Sequence, residues 1–230
     1  MSPFPQDGVV WFDFGGVLSQ PIPELFRSYE RKTGIPPAAL QQAMADAAQE
    51  RFGLPALAPI ELGLLTERQW GADLRRHLAL RDPSLDLGRA ELETFGAQWF
   101  AGEQPQAGVR ELMVDVRAAG TRTAVLTNNV VEWGPHWRAV AQVDELAELV
   151  VDSCEIGARK PDPAIFAAAA ALAGTAPEAN VLIDDLPENT AAARAAGWQT
   201  VTFACVHQVR AELGVLLGSP LAPAPEPALR

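Results

Sequence analysis

VVWFDFGGVL, residues 9–18, is the segment from which the architecture of this chain can be predicted. Four apolar residues in a row, rich in β-branched and aromatic side chains, are typical of a strand buried on both faces. Asp13 follows at the end of this strand, and Gly15 and Gly16 then allow the backbone to turn sharply. Open α/β sheets bind their ligands outside the carboxyl ends of the strands, so Asp13 is predicted to lie at a binding site. The alternative is an Asp that merely ends a strand.

Composition excludes several classes of partner. The chain has 230 residues and a net charge of −11, without the Lys/Arg cluster that contacts to nucleic-acid phosphates require. No signal peptide is evident, and no apolar run approaches the roughly 20 residues of a membrane span. Cys154 and Cys205 form no metal-binding pattern and are expected to be reduced. We therefore expect a cytoplasmic protein that binds neither nucleic acid nor membranes.

Residues 20–100, here called the helical insert, carry helix signals and few strand signals. Thr66 and Gln69 form a capping box, and Gly34 is a typical helix end. Helices are predicted over residues 24–33, 36–49, 66–80 and 87–100, with an irregular loop over 52–59. Eighty residues are far more than a crossover between parallel strands needs, so the insert is predicted to be a small helical domain that emerges beside Asp13.

Strands and helices alternate after the insert. Strands are predicted over residues 121–126, 149–152, 181–183 and 200–203, and helices over 109–119, 133–142, 164–173 and 187–196. This alternation indicates right-handed βαβ units and a parallel sheet. We predict an α/β fold with a Rossmann-like, doubly wound core formed by residues 1–19 and 101–218. The Pro/Ala-rich tail, residues 219–230, is predicted to be disordered.

Polar residues occur at or just after the carboxyl ends of several of these strands: Asp13, Thr127, Lys160, and the pair Asp184 and Asp185. Each has a structural explanation when taken alone, as a turn residue, a solvated cation or a helix N-cap. Because parallel strands end at one edge of a sheet, the joint occurrence of these residues predicts a common site.

The charges of this predicted site do not balance. Three carboxylates at one edge repel one another by about 4 kcal/mol per pair at 4 Å and an effective dielectric constant near 20. Lys160 offsets one negative charge and leaves two. A divalent cation would compensate the rest, and a site with oxygen ligands and no His or Cys favours Mg²⁺.

These groups together suit phosphoryl transfer. The Asp13 carboxylate, facing a metal-held phosphate, can attack phosphorus and form an aspartyl-phosphate. Lys160, the Thr127 hydroxyl, and backbone N–H groups at Gly16 and Asn128 would hold the transferring oxygens. The predicted substrate is a small phosphorylated metabolite.

Four segments of the chain resemble the four motifs of the haloacid dehalogenase-like (HAD) hydrolase superfamily in order and spacing. They are DFGGV (13–17), VLTN (125–128), RKPDPAIF (159–166) and LIDD (182–185). The insert is similar to the small helical cap of that superfamily, and the chain resembles its epoxide-hydrolase amino-terminal phosphatase members. The resemblance implies an Asp13 nucleophile, with Thr127 and Lys160 as phosphate ligands. It also implies Mg²⁺ on Asp13, the Gly15 carbonyl, and Asp184, Asp185 or both.

Gly15 departs from the pattern of most phosphatases in the superfamily, which carry a second Asp two residues after the nucleophile as general acid and base. General acid–base catalysis typically contributes a factor of about 10²–10⁴. Two alternatives are therefore weighed against the phosphatase. One is a metal-independent 2-haloacid dehalogenase, which the paired acids Asp184 and Asp185 disfavour. The other is a non-catalytic phosphate-binding relative.

Aromatic side chains and histidines give weaker signals. Trp70, Trp99, Trp133 and Trp137 are expected to be core residues, although each is placed where it could border a pocket. The three histidines are scattered along the chain and form no catalytic triad pattern.

Overall fold

A computed structural model describes residues 4–218, 220 and 221 of the protein. The predicted tail therefore lies outside the described residues, except for Pro220 and Leu221. Five parallel strands form one sheet in the order β3-β2-β1-β4-β5. Their bounds are β1 Val9–Phe12, β2 Arg122–Thr127, β3 Leu149–Asp152, β4 Asn180–Asp184 and β5 Gln199–Thr202. The predicted α/β fold with a parallel sheet is confirmed.

Strand β1 lies at the centre of the sheet and is buried on both faces. Val10 and Phe12 pack into the hydrophobic cluster on one side, whereas Val9 and Trp11 pack into the cluster on the other side. This alternation is the two-residue period of a strand covered by helices on both faces. The apolar run at residues 9–12 therefore has the buried position that its composition predicts.

The helical insert contains five α-helices: α1 Ile22–Thr33, α2 Pro37–Phe52, α3 Ala58–Glu61, α4 Glu67–Arg81 and α5 Phe95–Phe100. The predicted helix ends at Gly34 and the predicted capping box of Thr66 and Gln69 are confirmed. Helix α3 falls partly within the segment predicted as an irregular loop, because Pro59 is compatible with the first turn of a helix.

The helix predicted over residues 87–100 is wrong in its first half. Only a 3₁₀ turn, Leu92–Thr94, and helix α5 are helical in this segment. The Asp86 carboxylate accepts a hydrogen bond from the Gly88 N–H at 2.8 Å, a local side-chain contact that competes with helix formation. The 3₁₀ turn also approaches α4 closely, since a Cβ on Gly71 would lie 2.0 Å from the Leu92 carbonyl oxygen.

The chain enters and leaves the insert at adjacent points. Ser19 and Pro105 form an antiparallel bridge, and the Gln106 N–H donates to the Leu18 carbonyl at 2.8 Å. The Gln20 side chain adds a hydrogen bond to the Pro105 carbonyl at 3.0 Å. The entry at Ser19 follows Asp13 by six residues, and these contacts place the exit at Pro105 beside the entry.

Six further helices cover the sheet: α6 Val109–Ala118, α7 Gly134–Ala141, α8 Ser153–Ile156, α9 Pro163–Ala173, α10 Pro187–Ala195 and α11 Val206–Leu217. Four of them match predicted helices, and a 3₁₀ turn, Val131–Trp133, directly precedes α7, the helix predicted over residues 133–142. Helices α8 and α11 were not predicted. No helix in the part of the chain that the structure describes is both long and apolar enough to cross a membrane.

Trp133 joins the core to the insert. Its ring stacks on Phe95 with centroids 5.6 Å apart, and its Nε1 donates to Glu67 Oε1 at 2.7 Å. Gly96 leaves the space for this ring, because a Cβ there would lie 2.3 Å from Trp133 Cδ1. Trp133 and the other three tryptophans of the sequence prediction are buried, so the expectation of core positions is confirmed.

We predict that Gly96→Ala destabilises the protein by about 1–3 kcal/mol, because the added methyl group overpacks the contact with Trp133. Urea denaturation measures the change. In a Trp133→Leu background the same substitution should cost nothing or stabilise, since Ala is the better helix former and the ring is gone. An equal decrease in the free energy of unfolding in both backgrounds would contradict the proposed contact between residue 96 and the Trp133 ring.

Candidate active site

Three carboxylates converge at the carboxyl edge of the sheet. Phe12 pairs in register with Ile183, so Asp13, directly after β1, lies beside Asp184, the last residue of β4. The Asp13 N–H donates to the Ile183 carbonyl at 2.9 Å, which continues the pairing to the first residue after β1. One carboxylate oxygen from each of Asp13, Asp184 and Asp185 lies within 4.8 Å of the other two. The predicted meeting of these acids is therefore present in the structure.

Lys160 lies between two of these acids. Its Nζ is 2.8 Å from Asp13 Oδ1 and 2.6 Å from Asp184 Oδ2, and it also donates to the Leu126 carbonyl at 2.9 Å. The side chain is 1% exposed. All three ammonium protons thus have acceptors, as a buried charge requires.

Asn189 was missed by the sequence reasoning. Its Nδ2 donates to both carboxylate oxygens of Asp184, at 2.9 and 3.1 Å, and the Leu186 N–H donates to Asp184 Oδ1 at 2.9 Å. With Lys160, these donors fix the orientation of the Asp184 carboxylate. The available signal was an amide residue in the first turn of α10, five positions after Asp184.

Gly16 and Asp185 approach each other closely. Gly16 has a φ of +72°, and a Cβ on it would lie 2.3 Å from Asp185 Oδ2. Both the left-handed backbone and the contact with the carboxylate require glycine at this position. The Gly16 N–H, predicted to hold a phosphate oxygen, donates to Ser19 Oγ at 3.0 Å in this structure.

Gly15 differs from Gly16 in its backbone conformation. Its φ of −65° and ψ of 120° suit any L-residue. A Cβ there would meet Ile22 Cδ1 at 3.3 Å, the one contact within 4 Å among the described residues. The backbone therefore does not require glycine at residue 15, where most phosphatases of the superfamily that this chain resembles carry an acid.

Thr127 and Asn128 lie at the end of β2. Thr127 is buried, and its Oγ1 accepts a long hydrogen bond of 3.5 Å from Asn129 Nδ2. The Asn128 side chain holds the backbone of Lys160, accepting from its N–H at 2.7 Å and donating to its carbonyl at 2.9 Å. The peptide bond that follows, between Lys160 and Pro161, is cis. Asn128 therefore contacts the loop that presents the Lys160 side chain.

The pKa values show an excess of negative charge. Burial, together with Asp184 and Asp185, raises the pKa of Asp13 from 3.8 to about 8, although Lys160 opposes this shift. Burial and the Asp184 charge raise the pKa of Asp185 to about 6. Burial lowers the pKa of Lys160, but the ion pairs with Asp13 and Asp184 outweigh it and raise the pKa. A hard divalent cation fits this set of oxygen ligands, because it would compensate the charge that Lys160 leaves.

The family follows from comparison with known proteins. The family model of the haloacid dehalogenase-like hydrolases matches residues 8–197. The chain belongs to this family of hydrolases, and the resemblance inferred from the four motifs is confirmed.

Two relatives illustrate the range of similarity. Bifunctional epoxide hydrolase 2 of Mus musculus is 25% identical over 231 residues, which cover 95% of this chain and 41% of the mouse protein. The chain therefore spans less than half the length of that relative. Phosphatase MT3486 of Mycobacterium tuberculosis (strain CDC 1551 / Oshkosh) is 32% identical over 117 residues, 49% of this chain and 53% of that phosphatase.

Solved structures share the fold. A HAD family enzyme from Bacteroides thetaiotaomicron, in complex with magnesium and inorganic phosphate, matches with a TM-score of 0.59 and 22% identity, over 86% of this chain and 95% of that chain. L-2-haloacid dehalogenase from Xanthobacter autotrophicus, with chloropropionic acid covalently bound, matches with a TM-score of 0.62 and 18% identity, over 94% and 84% of the two chains.

We predict that the metal-free protein loses stability as the pH rises from about 4 to about 8. An unfolded Asp has a pKa of about 3.9, whereas the pKa of Asp13 in the folded protein is raised to about 8. Within this interval the folded state keeps a proton that the unfolded state has lost, so the slope is negative and at most about 1.4 kcal/mol per pH unit for this group.

Urea denaturation in EDTA at several pH values measures this slope. Asp13→Asn removes the titrating group and should make the slope shallower. A wild-type stability that rises over this interval, or an unchanged slope in Asp13→Asn, would contradict the assignment of Asp13 as the buried acid with the raised pKa.

Proposed function

We propose that this protein is a Mg²⁺-dependent phosphatase that hydrolyses small phosphate monoesters through an aspartyl-phosphate on Asp13. The observation that carries the proposal is the position of Lys160 Nζ, 2.8 Å from Asp13 and 2.6 Å from Asp184, beside a third carboxylate. Similarity to a mycobacterial phosphatase and to a fold neighbour bound to magnesium and inorganic phosphate supports it.

Mg²⁺ would be held by the carboxylates of Asp13, Asp184 and Asp185 and by the Gly15 carbonyl. When bound, the ion would supply positive charge for the phosphoryl oxygens. Asp184 already accepts hydrogen bonds from Lys160, Asn189 and the Leu186 N–H, so its orientation is set by the protein. Asp185 is half-buried and faces Gly16, which leaves it the more accessible of the paired acids.

Asp13 would act as the nucleophile. Its carboxylate oxygen forms a bond to phosphorus while the bond from phosphorus to the leaving oxygen breaks, and the leaving oxygen takes its proton from solvent because Gly15 offers none. Water then attacks phosphorus and gives up a proton to solvent, the bond from phosphorus to the Asp13 oxygen breaks, and inorganic phosphate leaves with the carboxylate restored. Lys160 favours the ionised, nucleophilic form of Asp13, and with the Thr127 hydroxyl it would hold the equatorial phosphoryl oxygens. Asn128 would contribute by holding the Lys160 backbone and by its own N–H.

The helical insert would act as a cap over this site. Its two connections lie side by side at Ser19 and Pro105, and Ser19 is six residues after Asp13 along the chain. The first turn of α1 brings Ile22 to within 3.3 Å of the position of a Cβ on Gly15. The leaving group would therefore meet residues of the insert, and an apolar side chain lies next to the position of the missing acid.

We predict that Asp13→Asn lowers Mg²⁺-dependent phosphatase turnover by at least about 10³, because the nucleophile is removed. A panel of about a hundred phosphorylated metabolites and p-nitrophenyl phosphate, assayed with Mg²⁺ and with EDTA, measures the loss. Asp144→Asn, at an exposed ion pair with Arg138, is the matched control and should keep full activity. Activity on 2-chloropropionate that survives EDTA would instead favour a dehalogenase.

We predict that Gly15 restricts the enzyme to substrates with good leaving groups, such as aryl, acyl or anomeric sugar phosphates. Wild-type kcat/KM should be higher for p-nitrophenyl phosphate than for an alkyl phosphate. Gly15→Asp is compatible with the local backbone and should raise kcat/KM for the alkyl phosphate, by up to about 10²–10⁴ if proton donation is fully restored.

Gly15→Asn is the control for this prediction, since it has the same size and no acidic proton. It should leave the alkyl phosphate slow. Equal wild-type kcat/KM values for the aryl and alkyl phosphates would contradict the role assigned to Gly15.

A further inference from the structure

We propose that Glu61 is a positioning residue, through which the helical insert holds both loops that carry the proposed phosphate ligands. The inference rests on the proposed function, because it concerns the placement of Lys160 and Thr127. Glu61 is the last residue of α3 and is buried, with 7% exposure. It belongs to the insert, whereas its partners belong to the core.

The Glu61 carboxylate reaches the Lys160 loop. Its Oε2 accepts a hydrogen bond from Arg159 Nε at 2.6 Å, and Arg159 directly precedes Lys160. The pair is shielded from solvent, with the Arg159 side chain 25% and the Glu61 side chain 9% exposed. Burial raises the pKa of Glu61, and the charges of Arg159 and Lys160 oppose this shift.

The Glu61 backbone reaches the other loop. Its carbonyl accepts a hydrogen bond from Ser153 Oγ at 2.7 Å, and the same oxygen of Ser153 accepts one from the Asn129 N–H at 3.1 Å. Asn129 lies two residues after Thr127. One residue of the insert therefore connects to the Thr127 loop through Ser153 and to the Lys160 loop through Arg159.

A buried ion pair alone is weak evidence for a role in stability. Desolvation of the two charges offsets much of their attraction, and an apolar pair of similar volume often stabilises as much. Burial indeed raises the pKa of Glu61, with Arg159 opposing the shift. The placement of the pair, next to Lys160 and across the boundary between insert and core, is what indicates positioning.

The Lys160 loop is then held from two sides. Asn128 fixes the N–H and carbonyl of Lys160 from the core, and Glu61 fixes the preceding residue from the insert. The Lys160 ammonium must stay within hydrogen-bonding distance of Asp13 and of a phosphoryl oxygen. Misplacement of a catalytic group by about 1 Å can lower the rate by about 10²-fold. Loss of the contact between Glu61 and Arg159 should therefore lower turnover.

The test compares Glu61→Ala, Glu61→Gln and Arg159→Ala in the Mg²⁺-loaded protein of 230 residues. Glu61→Ala should lower kcat for p-nitrophenyl phosphate by about 10- to 100-fold at little change in KM. Glu61→Gln can still accept from Arg159 and should recover most of the loss. Combining the two alanine substitutions should cost little more than either one alone.

Glu93→Ala is the matched control. It breaks the ion pair with Arg75, at 2.8 Å and entirely within the insert, and should leave kcat and KM unchanged. The folded fraction of each variant is measured by circular dichroism, and each rate is divided by that fraction. Glu61→Ala with wild-type kcat, or a loss that matches the loss of folded protein and is equal in Glu61→Gln, would overturn the inference.

Binding of inorganic phosphate to the Mg²⁺-loaded protein, measured by isothermal titration calorimetry, tests the inference about Glu61 separately from the proposed phosphatase activity. A wild type that binds phosphate but hydrolyses no ester would refute the phosphatase. The inference about Glu61 then stands if Glu61→Ala weakens phosphate binding by about 10-fold and Glu93→Ala does not. A wild type that neither hydrolyses esters nor binds phosphate would overturn both.

Discussion

A single buried ammonium group holds the candidate site together. Lys160 Nζ contacts Asp13 and Asp184 and donates to the Leu126 carbonyl, and so ties the ends of β1, β2 and β4 to one charge. The Lys160 ammonium is the buried positive charge that lies beside the carboxylates of Asp13, Asp184 and Asp185, which offer oxygens within 4.8 Å of one another. Two other side chains hold this arrangement in place. Asn128 forms a hydrogen bond with the backbone of Lys160, and Asn189 donates to the Asp184 carboxylate that contacts the Lys160 ammonium.

Three of the contacts between the insert and the core involve residues near proposed catalytic groups in the sequence. Ser19 and Pro105 bring the two connections together, Trp133 packs among the aromatic rings of the insert, and Glu61 contacts Arg159 and Ser153. Each contact lies a few residues from a proposed catalytic group in sequence. The insert is therefore joined to the core by specific hydrogen bonds and ring contacts as well as by a general apolar surface.

The sheet and the meeting of Asp13, Lys160, Asp184 and Asp185 could be predicted from the sequence, because apolar runs and strand-end polar residues depend on local pattern and parallel topology. Glu61 could not, since its role arises from contacts with segments more than ninety residues away in the chain. Asn189 was missed although it lies only five positions after Asp184, because its contact depends on the turn between β4 and α10. The first half of the helix predicted over residues 87–100 was wrong because the side chain of Asp86 forms a local turn. Gly16 and Gly15 looked alike in sequence, yet only Gly16 has a left-handed backbone.

The stereochemical course at phosphorus tests the central claim most directly. Hydrolysis of a monoester made chiral at phosphorus by oxygen isotopes and sulfur distinguishes one displacement from two. Transfer to Asp13 followed by attack of water involves two in-line displacements, so the account predicts net retention of configuration. Net inversion would mean that water attacks the ester directly, and it would contradict an aspartyl-phosphate on Asp13.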